Sequence, residues 1–369
     1  MDTPLPVRLW GLGAFAAGAM VLLPPAPTAN SSDEPAATRP AAAREAFGAE
    51  ANPTGSPVGG GEGCKGLVAR PERTVASAAA LLAALKDARA GDVLYVDDRA
   101  EIDLTGQRDI TIGGGVTLAG GRGRDGAAGA LLFTTEDKRT PKGKAEAFCL
   151  FRTGGPNVRV TGLRLRGPAP LSKRYWQRKT YAYLNSRGIC ASHDGLEVDN
   201  CEIFAFSHAG IFARAGKGLR VHHNAIHHCR RLGLGYGVCI DRARVLIEAN
   251  VFDWCRHAIA GTGRLPGGYE ARYNLVGEHP VGVVFDMHGK RDRKDKGAGD
   301  AGNYVRIHHN TFRNRGAYVV IRGRPAGACE IHHNWFVHGD EPGSPVLLYP
   351  HLSRARVYRN QFGPDKVVK

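Results

Sequence analysis

The chain has 369 residues, with 49 glycines, 21 prolines, 43% hydrophobic residues and a formal charge of +15. This length and apolar content provide one sizeable core and exclude a wholly disordered chain. The positive balance suits a polyanionic partner.

At the N-terminus, Arg8 precedes an apolar run from Leu9 to Leu23, followed by PPAPTA. Charge, apolar stretch and small residues in that order mark an export signal. The run is shorter than the ~20 residues that span a bilayer. Residues 1–29 are therefore expected to be a signal peptide, or an uncleaved membrane anchor through residues 9–23, and the protein to be secreted or periplasmic. Residues 30–62 are Ala, Pro, Gly, Ser and charge with little to bury, the composition of a disordered linker. They carry five acids against Arg39 and Arg44, and the leader is neutral, so residues 63–369 carry +18. That segment is expected to be one folded domain.

Residues 76–90 (ASAAALLAALKDARA) read as an amphipathic helix capping the end of a repeat array. GDVLYV, IDLTG, ITIGGGVTLAGG and GALLFTT follow as short strands between glycine turns, and GPNVRVTGLRLRGP opens the regular part. Seven asparagines then recur: Asn200, Asn224, Asn250, Asn274, Asn310, Asn334 and Asn360, separated by 24, 26, 24, 36, 24 and 26 residues. An alternating strand precedes each, as in HHNAIH, HHNTFR and HHNWFV. A period of 20–50 residues indicates a solenoid, and β-branched and aromatic residues at period two make each unit strand–turn–strand. Asparagine tolerates a left-handed backbone and can bond along a stack. The expected fold is all-β, a single-stranded parallel β-helix with a short N-terminal capping helix.

Two insertions interrupt the repeat. Residues 168–185 mix lysine and arginine with Tyr175, Trp176, Tyr181 and Tyr183, and residues 287–303 (MHGKRDRKDKGAGDAGN) account for the 36-residue gap. Long loops on a rigid scaffold often carry function, and Tyr175 and Trp176 could stack on sugar rings. Eight cysteines in an exported chain permit disulfides. Cys229 and Cys255 lie five residues after their asparagines and should stack in adjacent coils, ~4.8 Å apart, either bonded or as buried free thiols. Cys149 and Cys190 form a second candidate pair. No CxxC or zinc spacing appears.

The GDVLYV…IDLTG…VTLAGG…NVRVTGLRLRG series, followed by the HHN coils, resembles the right-handed parallel β-helix superfamily of pectate lyases, other polysaccharide lyases, hexuronan epimerases and carbohydrate-binding relatives. The resemblance covers residues ~65–369. It implies a right-handed coil and an anionic polysaccharide as partner, and leaves the activity open.

Aligning the strands after each corner (GIFAR, GVCID, VVFD, YVVIR, PVLLY) puts Arg214, Asp241, Asp286, Arg322 and Tyr349 in one row, with Ser192 and Arg152 extending it backwards. His288, Arg324 and His351 form a partial row two residues on. Thr262 is placed beside the row, and His257 one coil before Asp286. Eliminating or epimerising a uronate requires a base, an acid and cations on the carboxylate, and Asp286, His288 and Arg322 supply those types in adjacent coils. The Asp286-Met287-His288 segment resembles the Asp-Pro-His-Asp signature of mannuronan C5-epimerases, with Met287 for the proline and Gly289 for the second aspartate. That resemblance implies His288 as base and Arg322 or Arg324 as carboxylate neutraliser.

The catalytic candidates are thus Asp286, His288 and Arg322. Arg214, Asp241, His257, Arg324, Tyr349, His351, Tyr175 and Trp176 are the substrate-binding candidates. Asp241 and Asp286 would stand roughly 10 Å apart, two coils of spacing, near the ~6.5–9.5 Å of inverting glycosidases. Hydrolysis through that pair is one alternative, and a non-catalytic carbohydrate-binding protein another. No cofactor is expected. Calcium would have only Asp241 and Asp286 as ligands. The paired histidines are read as structural corner residues bonding the next coil's backbone. Nucleic acid does not suit an exported chain, a membrane would be met only through the N-terminal segment, and a monomer is expected.

Overall fold

The computed structural model describes residues 45–136, 147–172, 185–289 and 300–369. Those residues form one compact unit from Glu45 onward. The predicted cap is a helix, α1 (Ala78–Asp87), whose N-cap Ser77 accepts a hydrogen bond from Ala80 N and whose Leu81 and Leu85 are buried. Beneath it, strands stack into three parallel sheets. Sheet 1 runs from Val93–Tyr95 to Arg356–Tyr358, sheet 2 from Glu101–Asp103 to Gln361–Phe362, and sheet 3 from Ile110–Ile112 to Leu347–Leu348. Each strand pairs with the equivalent strand of the next coil, as Val198↔Val221↔Ile247↔Ala271↔Ile307↔Ile331 shows in sheet 1. The inward residues of all three sheets fill one continuous apolar core. The coils begin at Val93, earlier than the repeat signal becomes regular.

The asparagine ladder stands at the corner between sheets 1 and 2, with one correction. Each Oδ1 from Asn250 to Asn360 accepts from both the backbone N and the side-chain Nδ2 of the preceding asparagine, at 2.9–3.0 Å. All six from Asn224 to Asn360 are fully buried. Their own backbone is not left-handed: the residue before each one is, including His223, Ala249, Tyr273, His309, His333 and Arg359. Asn200 sits in that left-handed position itself (φ 52°), and Cys201 occupies the ladder place, where its N–H donates to Asn224 Oδ1. Asn274→Ala orphans the Asn250 N–H and the Ile247 carbonyl inside the core. Each unsatisfied group costs ~1–3 kcal/mol, so the denaturant midpoint should fall by the equivalent of about 3 kcal/mol.

The paired histidines bond each other and not, as expected, the next coil's backbone. His222 and His223, His308 and His309, and His332 and His333 bond each other through Nδ1 at 2.8 Å. His308 stacks on His332, and His309 on His333, at 5.0 Å.

Residues 45–62, expected to be linker, instead belong to a strap along this same corner. Gly48 N donates to His333 O, Gly59 N to Ala249 O and Gly61 N to Asn200 Oδ1. A Cβ at Gly60 would lie 2.2 Å from His223 O, so the strap can approach this closely only as glycine. Glycine richness in the sequence signals close backbone approach here. The signal or anchor segment, residues 30–44 and the insertion aromatics Tyr175 and Trp176 lie outside the described residues. Among those described, no helix is long and apolar enough to cross a membrane.

Cys149 and Cys190 form a disulfide with a Cα separation of 6.0 Å, while Cys229 and Cys255 are buried free thiols.

Candidate functional site

The outer face of sheet 3 carries the polar row, but in a shifted register. Phe285, Asp286 and Met287 pair with Ile259, Ala260 and Gly261 on one side and with Val319, Val320 and Ile321 on the other. Asp286 therefore belongs to the row Arg152–Cys190–Phe212–Cys239–Ala260–Asp286–Val320. The row two residues later is Ser192–Arg214–Asp241–Thr262–His288–Arg322. There, backbone N–H groups donate from Arg214 to Ala191, Asp241 to Ala213, Thr262 to Ile240, His288 to Gly261 and Arg322 to Met287. Asp286 and Arg152 thus lie two positions before their expected place, and His288 is in the main row. The error is of a kind the pattern cannot reveal. A two-residue slip leaves the in/out alternation intact, and the register is decided in the lumen, where Phe285 packs edge-on against Phe312 at 5.1 Å.

The shift changes what Asp286 can do. It is fully buried, held by Arg322 through Nε–Oδ1 at 2.9 Å and Nη2–Oδ2 at 2.8 Å. His288 Nε2 lies 3.3 Å and His257 Nε2 3.6 Å from the same Oδ2. Burial alone would raise its pKa. Hydrogen bonds from His288 and Arg322 outweigh that and hold it well below the usual carboxylate range. His257, expected to face substrate, stands behind the site instead: it is 2% exposed, bonds the Val283 carbonyl through Nδ1 and stacks on Tyr236 at 5.6 Å. Burial lowers it to about 4, so at neutral pH it is an uncharged neighbour of Asp286, not an ion-pair partner.

A bulge makes this corner. Ala258 N and Ile259 N both donate to Val284 O, and the strand turns so that His257 and Ala260 look outward while Ala258 and Ile259 fill the core. Between Phe212 and Asp286 the outer row drops to Cys239 and Ala260, and the small side chains leave a cleft of about 280 Å³. One side of the cleft is apolar, with Phe212, Leu234 and Tyr236. The other is polar, with Thr262, Arg264 and His288. Arg264, Phe212, Leu234 and Tyr236 had no repeat signal of their own and appear only once register is known.

Of the remaining predicted residues, Asp241 is nearly buried, accepting from Thr262 Oγ1 at 2.7 Å with Arg242 at 3.2 Å and Arg264 at 3.6 Å. Arg214 is exposed in the row. Tyr349 falls one position before the row and starts a short helix, Pro350–Ser353, which carries the exposed His351 out of it. Arg324 is exposed beside a separate cleft with Arg354 and Arg356. The Asp241–Asp286 pair does not suit a hydrolase, because Asp286 is sealed under Arg322. Nor does it suit calcium, since both carboxylates already hold guanidinium groups. The cluster of Glu197, Asp199 and His222 is likewise filled by Arg159 and Arg220.

The family described as "Right handed beta helix region" matches residues 184–362, the stretch that holds the ladder and sheet 3's polar rows. The fold is a right-handed parallel β-helix. No curated protein matches the sequence. Solved structures similar to this β-helix include an alginate lyase from Paenibacillus sp. strain FPU-7, 14% identical with a TM-score of 0.42 over 79% of this chain and 95% of that one. The mannuronan C-5 epimerase AlgE4 A-module of Azotobacter vinelandii is 12% identical, with a TM-score of 0.45 over 81% and 74%. A family 28 exopolygalacturonase of Yersinia enterocolitica is 12% identical, with a TM-score of 0.37 over 81% and 64%.

Buried and half-buried imidazoles give this β-helix an acid response. Burial lowers His208 to about 3 and His228, His257, His309 and His332 to about 4. The unfolded chain, with histidines near 6.5, takes up protons first as pH falls. Stability present above pH 6.5 should therefore decline between 6.5 and 4, by about 3 kcal/mol for His257 alone at 1.36 kcal/mol per unit. Urea midpoints that stay flat across this window would show that these rings are charged in the fold.

Proposed function

We propose that this β-helix protein acts on an acidic polysaccharide by removing the proton beside a uronate carboxylate, as a β-eliminating lyase or a C5-epimerase. The supporting observation is the position of His288 on the polar edge of the cleft, with the buried Asp286 behind its Nε2. In this reading the Nε2–H points at Asp286 and Nδ1 acts as the base, a tautomer-fixing arrangement. Nδ1 takes the C5 proton and the electron pair moves onto the carboxylate. Collapse of that enolate either expels the C4 oxygen, leaving a double bond, or accepts a proton on the other face. Asp286 becomes a positioning residue, and Arg264 the cation nearest the incoming carboxylate, backed by Arg322. The protein is taken to be exported and monomeric, with the +18 of residues 63–369 drawing in the polyanion.

The test is absorbance of unsaturated uronates, together with proton exchange at C5, over alginate, pectate and glycosaminoglycans. The apolar side of the cleft favours a second reading, carbohydrate binding without turnover. Binding that survives with neither double bond nor exchange would select it.

A further inference from the structure

We propose that the apolar end of this cleft is a subsite for an acetyl group, so that the preferred polymer is acetylated. The inference rests on the reading above for the cleft being where sugar binds. The polar atoms at this end are nearly all accounted for. The Tyr236 hydroxyl donates to Gly233 O at 3.1 Å, and burial pushes the Cys239 thiol up to about 12, keeping it neutral. Arg187 is spent as well: its Nε donates to His208 Nδ1 at 3.1 Å and its guanidinium lies 4.6 Å over the Phe212 ring.

His208 is the exception. A guanidinium only donates, so Nδ1 must accept. Burial, the first cause, and the charges of Arg187 and Arg231 keep the ring neutral at physiological pH. Its one proton therefore sits on Nε2, and this N–H is the donor His208 still has for a ligand. One neutral donor among Phe212, Leu234, Tyr236 and Ala260 fits a neutral acceptor joined to a methyl group. A bare carboxylate or hydroxyl pair would lose water against these walls without enough partners. An acetyl carbonyl meets the His208 N–H, and its methyl meets the apolar wall. The same chemistry comes from an O-acetylated uronate or from an N-acetylated amino sugar next to it.

The experiment is titration calorimetry of the full chain with two matched pairs: an O-acetylated polyuronate and its saponified form, and an N-acetylated uronate–hexosamine polymer and its N-deacetylated form. Affinity about tenfold higher for the acetylated member of at least one pair is expected, and the pair that shows it identifies the source. Ala260→Leu, which fills the cleft floor, and His208→Phe, which removes the donor, should bring the two members near parity. Equal affinity within both pairs overturns the subsite, and this comparison needs no variant to fold. The absorbance assay separates the two readings. Acetyl preference without product or C5 exchange sinks the proposed reaction alone, and product without preference sinks the subsite alone.

Discussion

Replacing His288 by glutamine is expected to lower turnover on the best polyuronate by about 10²–10⁴-fold, the usual contribution of a positioned general base, with polymer affinity changed little. The side chain is about one-third exposed (31%), and the glutamine amide keeps a neutral donor for Asp286, so folding should survive. The informative readout is the split: kcat falls while KM and the calorimetric affinity hold. If His288→Gln turned over polymer at the original rate, the base would lie elsewhere in the cleft and the proposed reaction would lose its centre.

Asp286→Asn should act on stability first. It removes the charge from a fully buried group and takes the bidentate carboxylate from the Arg322 guanidinium, only 21% exposed. Breaking one side of a buried pair typically costs 3–5 kcal/mol, and partial access of water to Arg322 argues for the lower end, about 3 kcal/mol. A double change to apolar residues, Asp286→Leu with Arg322→Met, should cost less than the single change, because no charge is left stranded. The acid dependence follows from the same pair. The folded pKa of Asp286 lies below its unfolded value near 3.9. Its contribution is therefore whole above that value and lost as pH falls below it. In the asparagine variant this acid-most part of the stability loss should vanish, while the histidine-linked decline between pH 6.5 and 4 remains. An unchanged acid limb would mean the carboxylate is not ionised in the fold.

Much of the site was legible as a set of residue types and little of it as a geometry. His288 and Arg322 stand in adjacent coils as the repeat spacing implies, and Asp286 contacts both. What the pattern missed is direction. Asp286 is the buried support beneath His288, not a surface acid, and His257 lies behind it. The cleft itself was invisible, because its depth comes from Cys239 and Ala260 being small in a row otherwise filled by Phe212 and Asp286. The strap at residues 45–62 was misread for a related reason: glycine-rich composition describes both a chain with nothing to bury and a chain that must pass close to another backbone.

By itself, the sequence determined the solenoid. A ladder of asparagines at a 24–26-residue interval, widened once to 36, alternating strands and a capping helix each depend on local preference, and repetition averages out the noise of any single coil. The tertiary structure alone decided which outward residues meet. A β-strand shifted by two residues keeps every side chain on its own face, so only packing inside the lumen, with Phe285 against Phe312, selects the register. That choice buried Asp286 under Arg322, turned His288 to the cleft, and left the six-asparagine corner to hold the coils in line.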